Sequence, residues 1–251
     1  MIPGTLYLIP NTLGGSDAPP AAQLNAVIPQ QVQAVSASLT YFIAENAKTT
    51  RAFLSLLKTV HPLALPLQEI QISELNVNTA TAALPDLLAP LLAGKDAGLI
   101  SEAGVPAVAD PGANLVRLAH QHGVPVRPLV GPSSLLLAVM GSGLNGQSFA
   151  FNGYLPTDAA QRTKRIKALE DRSRQEQQTQ LFIETPYRNA AMLEALATGC
   201  NPATLICIAT DLTLPAESIV TRTAAKWKSA LQTGNAPDFH KKPTVFLILA
   251  A

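Results

Sequence analysis

The sequence predicts an α/β protein of two domains, the first on a mostly parallel sheet and the second on a mixed one. Three observations carry that prediction. Short apolar runs alternate with longer helical stretches through the first half, the pattern of parallel strands linked by crossover helices. In the second half "TLICIATDL" and "ESIVTRT" are separated by only a few residues, which suits an antiparallel pair. Between the halves, "RPLVGPSS" supplies two prolines and a glycine, so the domains are set at 1–129 and 130–251. That arrangement favours a ligand cleft at strand ends and between the domains.

Each element has a local reason. "TLYLIP" (5–10) reads as a strand, closed by the turn-like "NTLGGSDAPP". "LTYFIAEN" (39–46) is a second strand, and Asn46 is placed to cap the helix "AKTTRAFLSLLK". A helix near 79–93 ends at Gly94, and "AGLIS" follows as a strand. Asp110 before Pro111 has the pattern of an N-cap with proline at the first helical position. That helix runs through "NLVRLAHQH" to Gly123, which suits a left-handed C-terminal cap, and "VPVRPLV" is the next strand. The second half reads as the helix "LLLAVMGSGL", the strand "SFAFNGYLP", a basic helix over 158–173, the strand "TQLFIET" and the helix "PYRNAAMLEALAT". The antiparallel pair, the helix "AAKWKSALQTG" and a final strand in "PTVFLILAA" complete it.

Composition limits the function. With 47% hydrophobic and 14% charged residues in 251, the chain can bury a proper core. No run approaches the roughly 18 to 20 apolar residues of a membrane span, and "MIPGTLYLIP" lacks the basic start of a signal peptide, so a cytoplasmic protein is expected. Cys200 and Cys207 have neither C-x-x-C spacing nor a nearby histidine and read as buried small hydrophobes; no metal site is expected. Residues 1–129 carry six Lys/Arg against eight Asp/Glu, and residues 130–251 twelve against nine. The one basic cluster is "QRTKRIKALEDRSR" (161–174), either the wet face of an amphipathic helix or a phosphate contact.

The chain has no G-x-x-x-x-G-K-[ST], no G-x-G-x-x-G after the first strand, no G-x-S-x-G and no H-E-x-x-H. What remains are Gly, Ser and Pro loops after strands: "PNTLGG" (10–15), "SEAGVPAVADPG" (101–112) and "VGPSS" (130–134). Low bulk and accessible backbone N–H and C=O groups suit a flat base and a ribose, although each loop could equally be a tight connection.

Five blocks in order then carry a resemblance: "GTLYLIP" (4–10), "LISEAGVPAVADPGANLV" (99–116), "PVRPLVGPSSLLLAVMGSGL" (125–144), "FAFNGYLP" (149–156) and "FIETPYR" (182–188). Along nearly its whole length the chain resembles the tetrapyrrole methylase family of S-adenosylmethionine-dependent methyltransferases, most closely the bacterial 16S ribosomal-RNA cytidine 2′-O-methyltransferases. The resemblance implies a methyl donor bound between two α/β domains, a homodimer, and ribosomal RNA or the small ribosomal subunit as partner. It places Ala103, Gly104 and Val105 in the loop beside the donor, with Asp110 ordering that loop, and Ser133 and Ser134 at the domain crossing. Phe151, Tyr154 and Leu155 match the block lining the cleft, and Ala209, Thr210 and Asp211, with Pro243 and Thr244, match the segment near the adenine. The RNA branch usually has "PTPIGN" where this chain has "PNTLGG", and "SDAGTP" where it has "SEAGVP". It also has a basic residue after "ELT" where Leu214 stands, and a "KGE" type of motif where this chain has "KKPT".

Methyl transfer from a sulfonium is an in-line displacement that needs alignment and exclusion of water. A ribose hydroxyl acceptor would profit from a base, for which Glu102 is the first candidate and Asp110 and Glu184 the others. Two further readings stay open: a methyltransferase acting on a tetrapyrrole or other small molecule, and a nucleoside-binding module without catalysis.

Overall fold

The structure, a computed structural model, describes residues 2–14 and 20–251. It divides into two compact units, Met1–Ser133 and Ser134–Ala251. Half of the turn-like "NTLGGSDAPP", residues 15–19, lies outside the described residues.

The first unit runs β1 (Leu6–Ile9), α1 (Pro20–Val27), α2 (Gln30–Ser38), β2 (Tyr41–Ala44), α3 (Ala47–Leu57), β3 (Gln71–Glu74), α4 (Leu84–Leu92), β4 (Ala97–Ile100), α5 (Ala113–Gln121) and β5 (Val126–Pro128). Its five strands are ordered β3-β2-β4-β1-β5, and every pairing is parallel. "YFIA" and "AGLI" are buried at every position because helices cover both faces of the sheet. One face packs Ile9, Phe42 and Ile100 against Leu24 of α1, Ile28 just after it, and Phe53 and Leu54 of α3. The other packs Leu6, Ile43 and Leu99 against Leu84, Leu88, Leu91 and Leu115 from α4 and α5. Each fully buried Leu, Ile or Phe contributes about 1.5 to 3 kcal/mol from apolar burial.

Local signals explain the helix ends, with one correction. Asn46 caps α3, its side-chain oxygen accepting from the N–H groups of Lys48 and Thr49. Gly123, with φ +68°, follows α5 in the left-handed conformation expected of it. Asp110 does not cap that helix. The N-cap is Gly112, at φ 133°, and α5 begins at Ala113. The loop before it winds through left-handed Ala107 (φ 65°) and Ala109 (φ 66°), which delays the helix past Pro111.

The second unit runs α6 (Ser134–Ser142), β6 (Phe149–Tyr154), α7 (Ala159–Glu176), β7 (Thr179–Ile183), α8 (Asn189–Gly199), β8 (Leu205–Thr210), β9 (Ser218–Thr223), α9 (Ala224–Gln232) and β10 (Thr244–Leu249). Its mixed sheet has the order β6-β7-β10-β8-β9. β6 and β7 are parallel, whereas β10 is antiparallel to both neighbours and β8 antiparallel to β9. Ile166, Leu169, Leu193, Leu196 and Trp227 from α7, α8 and α9 cover Phe182, Ile206, Ile208, Phe246 and Ile248 on one face. The Trp227 indole N–H donates to the Ile206 carbonyl at 2.9 Å, so its burial leaves no polar group unsatisfied. α6 lies on the opposite face, where the Thr221 hydroxyl donates to the Ser142 carbonyl at 2.7 Å.

One helix and one strand of the first unit carry weak sequence signals. "QQVQAVSAS" of α2 is largely polar, and "QISE" of β3 is a short edge strand with both ends exposed.

Candidate functional site

Topology selects the ligand edge of the first sheet. The connections leaving β1 and β2 place helices on one face, and those leaving β3 and β4 place α4 and α5 on the other. β4 lies between β2 and β1, so the segment after it is flanked by two that turn to the opposite face. In a parallel α/β sheet such a switch point opens a crevice at the carboxyl ends of the strands.

The loops expected beside a donor meet there. The Asn11 N–H donates to the Gly104 carbonyl at 2.8 Å, forming an isolated antiparallel bridge between the loops after β1 and β4. The Asn11 side-chain amide donates to the carbonyls of Ser101 (3.3 Å) and Glu102 (3.0 Å), and its oxygen accepts from the Thr12 N–H. Asn11 is buried, and this bracing role was not recognised from "PNTLGG", although a polar residue directly after an apolar strand was the available signal. Gly131 joins the same edge so tightly that a Cβ there would lie 2.2 Å from the Pro10 Cβ. Ser133 is half-buried at the end of this unit, and Ser134 opens α6.

The carboxylates are organised around this loop. Glu102 is exposed; its Oε1 accepts from the Asn46 side-chain amide at 2.9 Å, and its N–H donates to Glu45 Oε2 at 3.2 Å. Asp110 has its carboxyl pushed up to about 6, first by burial, then by the negative charge of Glu45 and, more weakly, Glu102. It borders a cavity of about 350 Å³ walled by Leu75, Asn76, Thr81, Asn114 and Leu115. Glu184 is different: its side chain is buried, Oε1 accepting from the Arg188 guanidinium and the Thr185 N–H while Oε2 meets no partner among the described residues.

In the second unit the matched residues cluster at one sheet edge. β6, β7 and β8 all end there, and β10 begins there. Thr210 pairs with Thr244, their hydroxyl oxygens 3.3 Å apart, and the Asp211 N–H donates to the Pro243 carbonyl at 3.0 Å. Lys242 Nζ lies 3.6 Å from the Asp211 carboxylate. Tyr154 is exposed at the end of β6, and Phe151 is half-buried within it. The side chains of Leu155 and Ala209 are buried, so these two positions can offer a ligand only their backbone. Among the described residues no group of three or more His, Cys, Asp or Glu is placed to hold a metal ion. No helix among them is long and apolar enough to cross a membrane.

The family model of Tetrapyrrole (Corrin/Porphyrin) Methylases matches residues 29–227. The chain belongs to the tetrapyrrole methylase family. This methylase is 30% identical over 248 residues to the "Ribosomal RNA small subunit methyltransferase I" of Xylella fastidiosa, an alignment covering 98% of this chain and 81% of the relative. Two solved structures share the fold at 16% identity. The methyltransferase CobJ is matched over 99% of this chain and 95% of its own, with a TM-score of 0.60. The uroporphyrin-III C-methyltransferase of Thermus thermophilus, complexed with S-adenosylhomocysteine, is matched over 98% and 97%, with a TM-score of 0.55.

As a member of this family the chain is a methyltransferase with S-adenosylmethionine as methyl donor. The loop after β4 suits that molecule: the N–H groups of Ala103 and Val105 meet no acceptor among the described residues, and Gly104 between them takes a left-handed turn, φ +68°, that a side chain would strain.

Proposed function

We propose that this tetrapyrrole methylase transfers a methyl group from S-adenosylmethionine to a ribose hydroxyl of small-subunit ribosomal RNA. Ala103, Gly104, Val105 and Ser133 of the first unit would hold the donor, with Ser134, Phe151, Tyr154, Leu155, Ala209, Thr210, Asp211, Pro243 and Thr244 of the second. The near full-length relative named for that RNA supports the acceptor. The observation that carries it within the molecule is α7. From Ala159 to Leu169 it bears Arg162, Lys164, Arg165 and Lys167 and no acidic residue, all outside its buried stripe of Ile166 and Leu169. A solvated helix has no need of one-sign charge over three turns, whereas a phosphate backbone does.

The donor supplies an electrophilic methyl on a sulfonium. The chain must align the acceptor oxygen behind that carbon, exclude water and receive one proton. The S–CH3 bond breaks as the O–CH3 bond forms, the hydroxyl proton passes to a carboxylate, and S-adenosylhomocysteine leaves. Asp110 fits that acceptor better than Glu102. Raised to about 6, it is more basic than an ordinary carboxylate yet ionised at neutral pH, while Glu102 is engaged by Asn46.

A cytoplasmic location accords with a ribosomal acceptor, and a second copy of the chain would complete the assembly. Leu136 and Met140 on α6 are 53% and 79% exposed, and Phe149, on the sheet face that α6 covers, is 40% exposed. Sedimentation at micromolar concentration should give a dimer, reduced to monomer by Met140→Asp.

The acceptor is tested by incubating the protein with methyl-labelled donor and small subunits from cells lacking the modification. Label in an alkali-resistant dinucleotide of the RNA is expected. Donor binding by calorimetry without RNA labelling would reject the RNA acceptor and leave a small molecule in its place; no binding at millimolar donor would leave a module without catalysis.

A further inference from the structure

Tyr187 lies in the short 3-10 turn Pro186–Arg188 after β7 and is 73% exposed, the ring of a large amphipathic residue turned to solvent. Its base is nevertheless held firmly. The Arg188 N–H donates to the Thr185 carbonyl at 2.9 Å, and the Arg188 guanidinium is fixed by buried Glu184. From the other side, the Lys241 N–H donates to the Pro186 carbonyl at 3.2 Å. The segment carrying Lys241 is itself clamped by buried Asn189, whose amide donates to the carbonyls of Phe239 and Lys242 at 2.9 and 2.8 Å. A cation and an imidazole complete the surroundings: Lys241 Nζ stands 5.8 Å from the ring centroid, and the His240 ring meets Tyr187 edge-on at 6.5 Å.

An aromatic ring braced from two segments, exposed to water and bordered by an ammonium group and an imidazole matches what an unpaired base on a phosphodiester chain requires. The ring stacks on any base, and the ammonium neutralises an adjoining phosphate. We propose that Tyr187, with Lys241 and His240 beside it, is a stacking platform for one unpaired base of a single-stranded RNA. The inference rests on the RNA reading of the function and adds where the strand is gripped outside the residues assigned to the donor. Stacking and charge make separable contributions. Tyr187 gives affinity without a counterion effect, whereas Lys241 and the α7 cations give affinity that falls with salt.

The test is fluorescence anisotropy of a short labelled single-stranded RNA with the full chain, titrated at several salt concentrations. Tyr187→Ala is expected to bind about 5- to 150-fold more weakly with an unchanged salt slope, the range that about 1 to 3 kcal/mol of base stacking represents. Tyr187→Phe should stay within about twofold of the parent because the ring is kept, and Lys241→Ala should lower the salt slope by about 0.7. An unchanged melting temperature shows that Tyr187→Ala is folded, as its exposure predicts. If the parent binds RNA and Tyr187→Ala binds it equally well, the platform is refuted and the RNA acceptor stands. If the parent binds no RNA even at low salt, both fall together.

Discussion

Asn11 donates its backbone N–H to the carbonyl of Gly104 at 2.8 Å, and this bond ties the loop after the first strand to the loop after the fourth. The Asn11 side chain repeats the tie through the carbonyls of Ser101 and Glu102. Asn11→Asp keeps the shape but replaces both donations by a carboxylate facing carbonyl oxygens. It should cost about 2 to 4 kcal/mol by chemical denaturation, more than Asn11→Ala at about 1 to 3. In both variants calorimetry should show weakened binding of S-adenosylmethionine.

Gly104 and Gly123 offer a matched pair. Both have φ +68°, so alanine at either position should cost about 1 to 2 kcal/mol in backbone strain. A Cβ on Gly123 meets nothing within 4 Å, whereas one on Gly104 comes to 3.2 Å from Leu13 Cδ2, in the loop proposed to hold the donor. Donor affinity should fall in Gly104→Ala and hold in Gly123→Ala. Equal donor affinity in the two would remove Gly104 from the site.

Asp110 makes stability depend on pH in a predictable sense. Its folded pKa of about 6 lies above the ordinary carboxylate value, so between about pH 4 and 6 the folded state holds more protons than the unfolded one. Its unfavourable contribution is absent at low pH and fully present above pH 6. Asp110→Asn should therefore melt higher than the parent at pH 7, by about 1 kcal/mol once solvent screening of this partly exposed group is allowed for, and equally at pH 4. Paired melting curves at the two pH values decide it. The same variant should slow methyl transfer if Asp110 receives the proton.

Both cysteines should be inert in the folded protein. Cys200 is pushed up to about 12 by burial and by nearby Glu170, and Cys207 is raised by burial. A disulfide reagent at pH 8 should react with neither until denaturant is added, because the attacking species is the thiolate. Prompt labelling of the native protein would contradict their placement in the core.

Much of this fold could be read locally. Asn46, Gly94 and Gly123 act through short-range backbone chemistry, and the apolar runs of β2, β4 and β10 are buried whatever their partners are. Asp110 shows the limit of such reading. Its pattern with Pro111 is a good cap signal, but left-handed Ala107 and Ala109 route the loop elsewhere, and neither alanine announces that conformation. The candidate site was legible as loops and not as a network. Asn11 matters through carbonyls in the loop after β4, and Asp110 acquires its basicity from burial and from Glu45, neither visible along the chain. Tyr187 and Lys241 likewise meet only through the fold.

The position of β10 also sets an order of events during synthesis. It is the last strand of the second sheet in sequence and the middle one in space, separating β7 from β8. Until Thr244–Leu249 leave the ribosome, β6-β7 and β8-β9 are two half-sheets with bare inner edges, and Phe182 lacks the parallel-stacked Phe246 ring. The first unit needs nothing beyond residue 133 to close its own sheet and can assemble early. A chain that stops short of Thr244 would therefore yield a well-folded first unit joined to an adhesive, unfinished second one, a product for proteases rather than a weakened enzyme.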